Sequence, residues 1–142
     1  MKTTITAREL TAYADEPIAA GGTNMGMAPT ELLLGALGAC AAITARLYAE
    51  RKGWALEGVE VDASFEKFAK PDYPDYQGDS DWVNEFRQRI TFTGDLTDDQ
   101  RERLLEIAGK CPVHRILTTP NFMIEELAEM TVDAAIAADH LI

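Results

Sequence analysis

Glu31-Leu-Leu-Leu-Gly-Ala-Leu-Gly-Ala-Cys40-Ala-Ala-Ile-Thr-Ala-Arg46 decides how this chain folds. Nothing between its two ends is charged, so a helix drawn through it is apolar on every turn. Pro29 suits a first helical turn, Glu31 complements the positive helix end, and Gly53 stops the run; together they set a helix from Pro29 to Lys52. Apolar residues on nearly every face of its first two thirds predict a helix buried all round. Arg46, Glu50, Arg51 and Lys52 then mark its emergence into solvent. Gly35, Gly38, Ala39, Ala41 and Ala42 crowd around Cys40 and leave room for another backbone, a second subunit or a substrate.

Working outward, residues 2–14 read as a short strand, and Asp15 to Ala28, with its Gly, Asn and Pro breakers, as a loop. Val59, Val61, Ala63 and Phe65 alternate with polar residues, as do Phe86, Gln88, Ile90 and Phe92 with Arg87, Arg89 and Thr91, so residues 59–93 form a long hairpin. The polar, Asp-rich connection 71–81 reads as a mobile loop. Thr97-Asp-Asp-Gln100 is a capping box that opens a helix to Lys110 with Leu104, Leu105, Ile107 and Ala108 inward. Cys111-Pro112 starts a short helix over Val113, Ile116 and Leu117. Asn121 to Leu127 reads as a last strand, and the tail from Thr131 as helical. Trp54 and Trp82 read as packing residues. A length of 142 residues makes the chain a single domain over residues 1–142.

Composition narrows the function classes. The 142 residues are 46% hydrophobic and 26% charged, ordinary for a globular protein. A formal charge of −11 argues against nucleic-acid and anionic-membrane partners. The N-terminus lacks the apolar run of a signal peptide, and the uncharged stretch Leu32–Ala45 is too short to span a bilayer. The expectation is a cytoplasmic protein, where a cysteine pair is redox-active rather than structural. Two cysteines, with His114 and His140 as the only histidines, support neither a zinc site nor another metal centre, and no organic cofactor is implied.

Cys40 and Cys111 are the candidate functional residues. Cys40 reads either as a small core residue or as a thiol facing a substrate. Cys111, just before Pro112, sees the unpaired N–H groups of a helix start, which stabilise thiolate, and a protonated His114 one turn on would help. Its plainer role is a buried cap. Glu31 reads as a charge complementing its helix, or as a carboxylate that orients an arginine or a peroxide.

Glu16-Pro17 with Gly21-Gly22-Thr23-Asn24, Pro29-Thr-Glu31 through Cys40, Tyr48-Ala-Glu-Arg-Lys-Gly-Trp54, Gly94-Asp95-Leu96 and Lys110-Cys111-Pro112-Val113-His114-Arg115 resemble the OsmC/Ohr family, the osmotically inducible and organic hydroperoxide resistance proteins. The likeness spans roughly residues 15–127. It implies an α+β fold with two long helices packed against antiparallel sheets in an intertwined homodimer, with active sites at the subunit interface. It also implies that Cys40 attacks an organic hydroperoxide and that Cys111 resolves the product as a disulfide, which an external dithiol then reduces. The alternatives are an OsmC-fold protein that binds a small ligand without catalysis, and a redox sensor. Two departures stand out. The family's peroxidases place a carboxylate ten residues before the first cysteine, where this chain has Thr30; its acid is Glu31, about 100° round the helix. They also use an arginine from an N-terminal hairpin, whereas this short N-terminal region reads as lacking one hairpin and offers only Arg8.

Overall fold

The computed structural model describes residues 1–128. Helix α1 spans Pro29–Lys52, as its end signals require. The Glu31 carboxylate accepts the Ala28 N–H at 2.8 Å, and Gly53 closes the helix at φ +64°, a backbone shape that glycine adopts without a Cβ clash.

Burial of α1 departs from the all-round expectation. Leu37, Gly38, Ala41, Ala45 and Ala49 form a buried stripe, while Leu33, Ile43 and Leu47 remain 41%, 59% and 52% exposed. The chain supplies packing partners on one side of the helix only. By length and composition alone α1 could cross a bilayer; here its buried stripe packs against one strand and two helices of the same chain.

Strands β3 (Ala55–Ala69) and β4 (Trp82–Asp95) form the expected antiparallel hairpin, longer at both ends than its alternation suggests. Val59 pairs with Phe92, Val61 with Ile90 and Phe65 with Phe86. A Cβ on Gly38 would sit 3.4 Å from Val61 Cγ1, so the α1 backbone lies close against the strand. Leu37, Ala41, Ala45, Phe92, Leu104 and Cys111 are the heart of the core, with Val59, Phe86 and Ile90 packed on it. Trp54 packs on this core and meets Tyr48 edge-on at 5.5 Å, whereas Trp82 is 52% exposed under Lys67 rather than a core residue.

The acidic connection between β3 and β4, expected to be mobile, is tied down. Lys70 Nζ donates to the Gly78 carbonyl at 2.6 Å, the Tyr73 hydroxyl to Glu85 Oε2 at 3.0 Å, and the Ser80 N–H to the Tyr76 hydroxyl at 3.3 Å.

At the N-terminus two strands stand where one was expected. β1 (Thr3–Ala7) and β2 (Leu10–Ala14) form a tight hairpin that turns at Arg8-Glu9, with Arg8 at φ +58°. Neither turn residue is a glycine, asparagine or aspartate, so the usual hairpin signal is missing. Asp15 then anchors the loop to α1. It is 2% exposed and accepts the N–H groups of Glu16, Thr23 and Met25 at 2.9, 3.0 and 3.1 Å, with the Thr23 hydroxyl and the Met1 ammonium beside it.

Helix α2 (Asp98–Ala108) carries the capping box, with the Gln100 N–H donating to Thr97 Oγ1 at 3.2 Å, and it ends two residues earlier than expected. Arg101 clamps it to β4 through the carbonyls of Phe92 and Gly94. Helix α3 (Pro112–Thr118) follows directly. Asn121 to Leu127 is not a strand: no β partner reaches it among the described residues, and Phe122, Met123, Ile124 and Leu127 are 81% or more exposed. The helix expected from Thr131 lies outside the described residues.

Candidate functional site

Cys40 sits at mid-length in α1, whose buried stripe turns it toward the core, and the packing of α3 on α1 brings Cys111 to the same place. Both thiols are free; Cys40 is partly exposed and Cys111 is fully buried. The Cys40 thiol packs against the core that holds Cys111, near enough to raise the Cys111 value. The two cysteines singled out from the sequence therefore meet.

Cys111 is the N-cap of α3. Its Sγ accepts the His114 N–H at 3.4 Å, so the His114 backbone, not its imidazole, reaches the sulfur. The expected thiolate stabilisation does not prevail. Burial pushes the Cys111 thiol above its ordinary value, the His114 N–H pulls against this, and the Cys40 thiol raises it further. Desolvation of the charged form outweighs one helix-end hydrogen bond. At neutral pH Cys111 is a protonated thiol beside a more accessible one.

Glu31 lies elsewhere. Nine residues of helix separate it from Cys40, roughly 13 Å along the axis, and its carboxylate is engaged at the helix start. It also lines an open groove of about 610 Å³ between α1 and β3, walled by Met27, Leu34, Gly38, Ala42, Val59 and Val61. Arg8, at the tip of the hairpin, is exposed.

A smaller pocket of about 390 Å³ opens between β4 and α3. Leu37 and His114, each one helical turn from a cysteine, are part of its wall, and Tyr73, Asn84, Glu85 and Gln88 bring polar groups. Sequence reading missed these four. Strand alternation gives the side of the sheet a residue faces, but not what stands opposite it across a cleft. No cluster of three or more potential metal ligands occurs among the described residues.

The geometry can be set beside known proteins. The profile of the OsmC family, described as OsmC-like protein, matches residues 22–126. Among solved structures, an OsmC-like protein from Mycoplasma pneumoniae superposes with a TM-score of 0.63 at 19% identity, covering 82% of this chain and 78% of that one. A putative osmotic stress induced and detoxification response protein from Psychrobacter arcticus gives 0.60 at 18%, covering 81% and 85%. The organic hydroperoxide resistance protein OhrB of Bacillus subtilis gives 0.55 at 17%, covering 83% and 89%. At such identities the superpositions speak to the fold. No curated protein matches the chain.

Proposed function

Because this chain belongs to the OsmC-like protein family, we propose that it is a thiol-dependent peroxidase that reduces organic hydroperoxides. The observation that carries the reading is the meeting of two free thiols, one partly exposed and one buried. Fold relatives named as organic hydroperoxide resistance proteins support it.

Cys40, the thiol open to solvent, is the nucleophile. As thiolate it attacks the distal oxygen of the O–O bond; the alkoxide leaves, takes a proton and becomes the alcohol, and Cys40 becomes sulfenic acid. The Cys111 sulfur then attacks the Cys40 sulfur, water leaves, and the disulfide forms. An external dithiol returns both cysteines to thiols by exchange and is itself oxidised. A reducing compartment such as the cytoplasm suits that cycle.

The reading includes a homodimer. The exposed apolar side of α1, the groove beside Glu31 and the exposed segment from Phe122 to Leu127 are surfaces that a second copy would cover. In such a dimer Arg8, carried on an exposed hairpin, is an arginine that a second copy would bring toward the thiol pair. Treatment of the reduced protein with one equivalent of cumene hydroperoxide, followed by peptide mapping, tests the central step. A Cys40–Cys111 bridge with release of cumyl alcohol supports it. Sulfenic acid that never reaches Cys111, or no oxidation, counts against it.

A further inference from the structure

The first turn of α3 depends on one sulfur atom. Pro112 has no N–H to satisfy, and the Arg115 N–H donates to the Cys111 carbonyl at 3.0 Å. The N–H groups that remain, those of Val113 and His114, both act on the Cys111 sulfur, which accepts the His114 N–H at 3.4 Å. A helix of seven residues has little hold of its own, so it rests on this cap and on the packing of Val113 and Leu117 against the core.

The far end of α3 carries the segment beyond it. Asn121 Nδ2 donates to the carbonyls of Ile116 and Thr119 at 2.8 and 2.7 Å, and Thr119 Oγ1 to that of Arg115 at 2.9 Å. Cap, helix and the exposed stretch from Phe122 to Leu127 are therefore joined in series.

Oxidation changes what the sulfur can do. A thiolate is a stronger acceptor than a neutral sulfur, because charge strengthens the hydrogen bond. In a bridge to Cys40 that charge is gone and the sulfur is held to a partner on α1.

We propose that a Cys40–Cys111 bridge releases the cap of α3, so that the helix and the segment to Leu127 open in the oxidised protein and close on reduction. The proposal rests on the thiol reading and deepens it. Bridge formation passes two electrons from the thiol pair to the hydroperoxide, giving alcohol and water; an external dithiol returns two electrons and two protons. That dithiol must reach a bridge whose Cys111 sulfur lies in a residue with no exposed surface in the reduced fold. Local opening of α3 gives it access.

Amide hydrogen exchange on the nitrogen-15-labelled full chain, before and after diamide, is the test. Diamide oxidises the thiol pair without a peroxide and is itself reduced to the hydrazine; peptide mapping confirms the bridge. The His114 to Thr118 amides are expected to exchange about fivefold faster in the bridged protein, the typical worth of one helix cap. They should slow again with dithiothreitol, while the α2 amides keep their rates. Cys111→Ala should reproduce the fast exchange without oxidant, and Cys111→Ser, whose hydroxyl caps well, should stay slow with or without diamide. Should Cys111→Ala fold poorly, Cys40→Ser serves instead, since it cannot bridge and should stay slow in diamide. Unchanged or slower α3 exchange in the bridged wild type, or faster exchange in diamide-treated Cys40→Ser, overturns the proposal. A mapped bridge with unchanged exchange leaves the thiol reading standing, whereas failure of any bridge to form removes both.

Discussion

The Cys111 thiol, fully buried at the start of α3, has the partly exposed Cys40 thiol of α1 as its neighbour. The asymmetry gives the pair an order of reaction. Iodoacetamide is expected to modify Cys40 on the order of tenfold faster than Cys111, because alkylation of a buried thiol waits on local opening. Timed alkylation with peptide mapping checks this, and equal rates would contradict the burial difference.

The raised Cys111 value has a kinetic consequence. At neutral pH this thiol is protonated, so closure of the disulfide from oxidised Cys40 should accelerate as pH rises, continuing past the ordinary thiol value of about 8.5. Stopped-flow measurement of disulfide formation after a hydroperoxide pulse reads it. A rate that is flat above pH ~7 would place the Cys111 thiolate at neutral pH, against the burial argument.

Asp15 links pH to stability in the opposite direction. The Thr23 hydroxyl, more than the Met25 and Glu16 N–H groups, holds its carboxyl well below the usual carboxylate range, against the opposing effect of burial. A lowered folded value contributes stability that is present above the unfolded carboxylate value and lost as pH falls toward the folded one. Thermal midpoints of the wild type should therefore drop below about pH 4. Asp15→Ala should melt lower at neutral pH and show a shallower acid dependence.

Much of this architecture could be read from the chain because its signals are local. Pro29 and Gly53 bracket α1, Thr97 and Gln100 cap α2, and alternation from Val59 to Phe65 and from Phe86 to Phe92 marks the hairpin. Two cysteines in distinctive settings marked the candidate site. The misses have physical causes. Arg8-Glu9 turns a hairpin without a turn residue. Leu33, Ile43 and Leu47 look like core residues because apolarity alone does not say on which side of a helix this chain packs. The expected strand at Asn121 to Leu127 has β propensity, but a strand needs an edge to pair with. The wall of Tyr73, Glu85 and Gln88 depends on long-range placement that no local pattern encodes.

Arg8 offers a test that separates strain from function. Its positive φ costs an L-residue about 1 kcal/mol, and glycine escapes that cost. Arg8→Gly should therefore leave the melting midpoint unchanged or higher, while hydroperoxide turnover falls by about tenfold or more as the guanidinium is lost. Unchanged turnover would remove Arg8 from the proposed site.

Leu104 joins α2 to the core with no exposed surface. Leu104→Ala should destabilise the fold by about 2–5 kcal/mol through lost burial and the cavity left behind. Chemical denaturation measures it, and a change below about 0.5 kcal/mol would mean that α2 does not seal the core as described.

The most direct measurement is steady-state consumption of cumene hydroperoxide by the reduced protein with a dithiol, beside Cys40→Ser and Cys111→Ser. Turnover in the wild type, its loss in Cys40→Ser, and accumulation of sulfenic acid in Cys111→Ser are the results expected of a two-cysteine peroxidase. A wild type that forms one disulfide and stops, or consumes no peroxide across several dithiols, would contradict it.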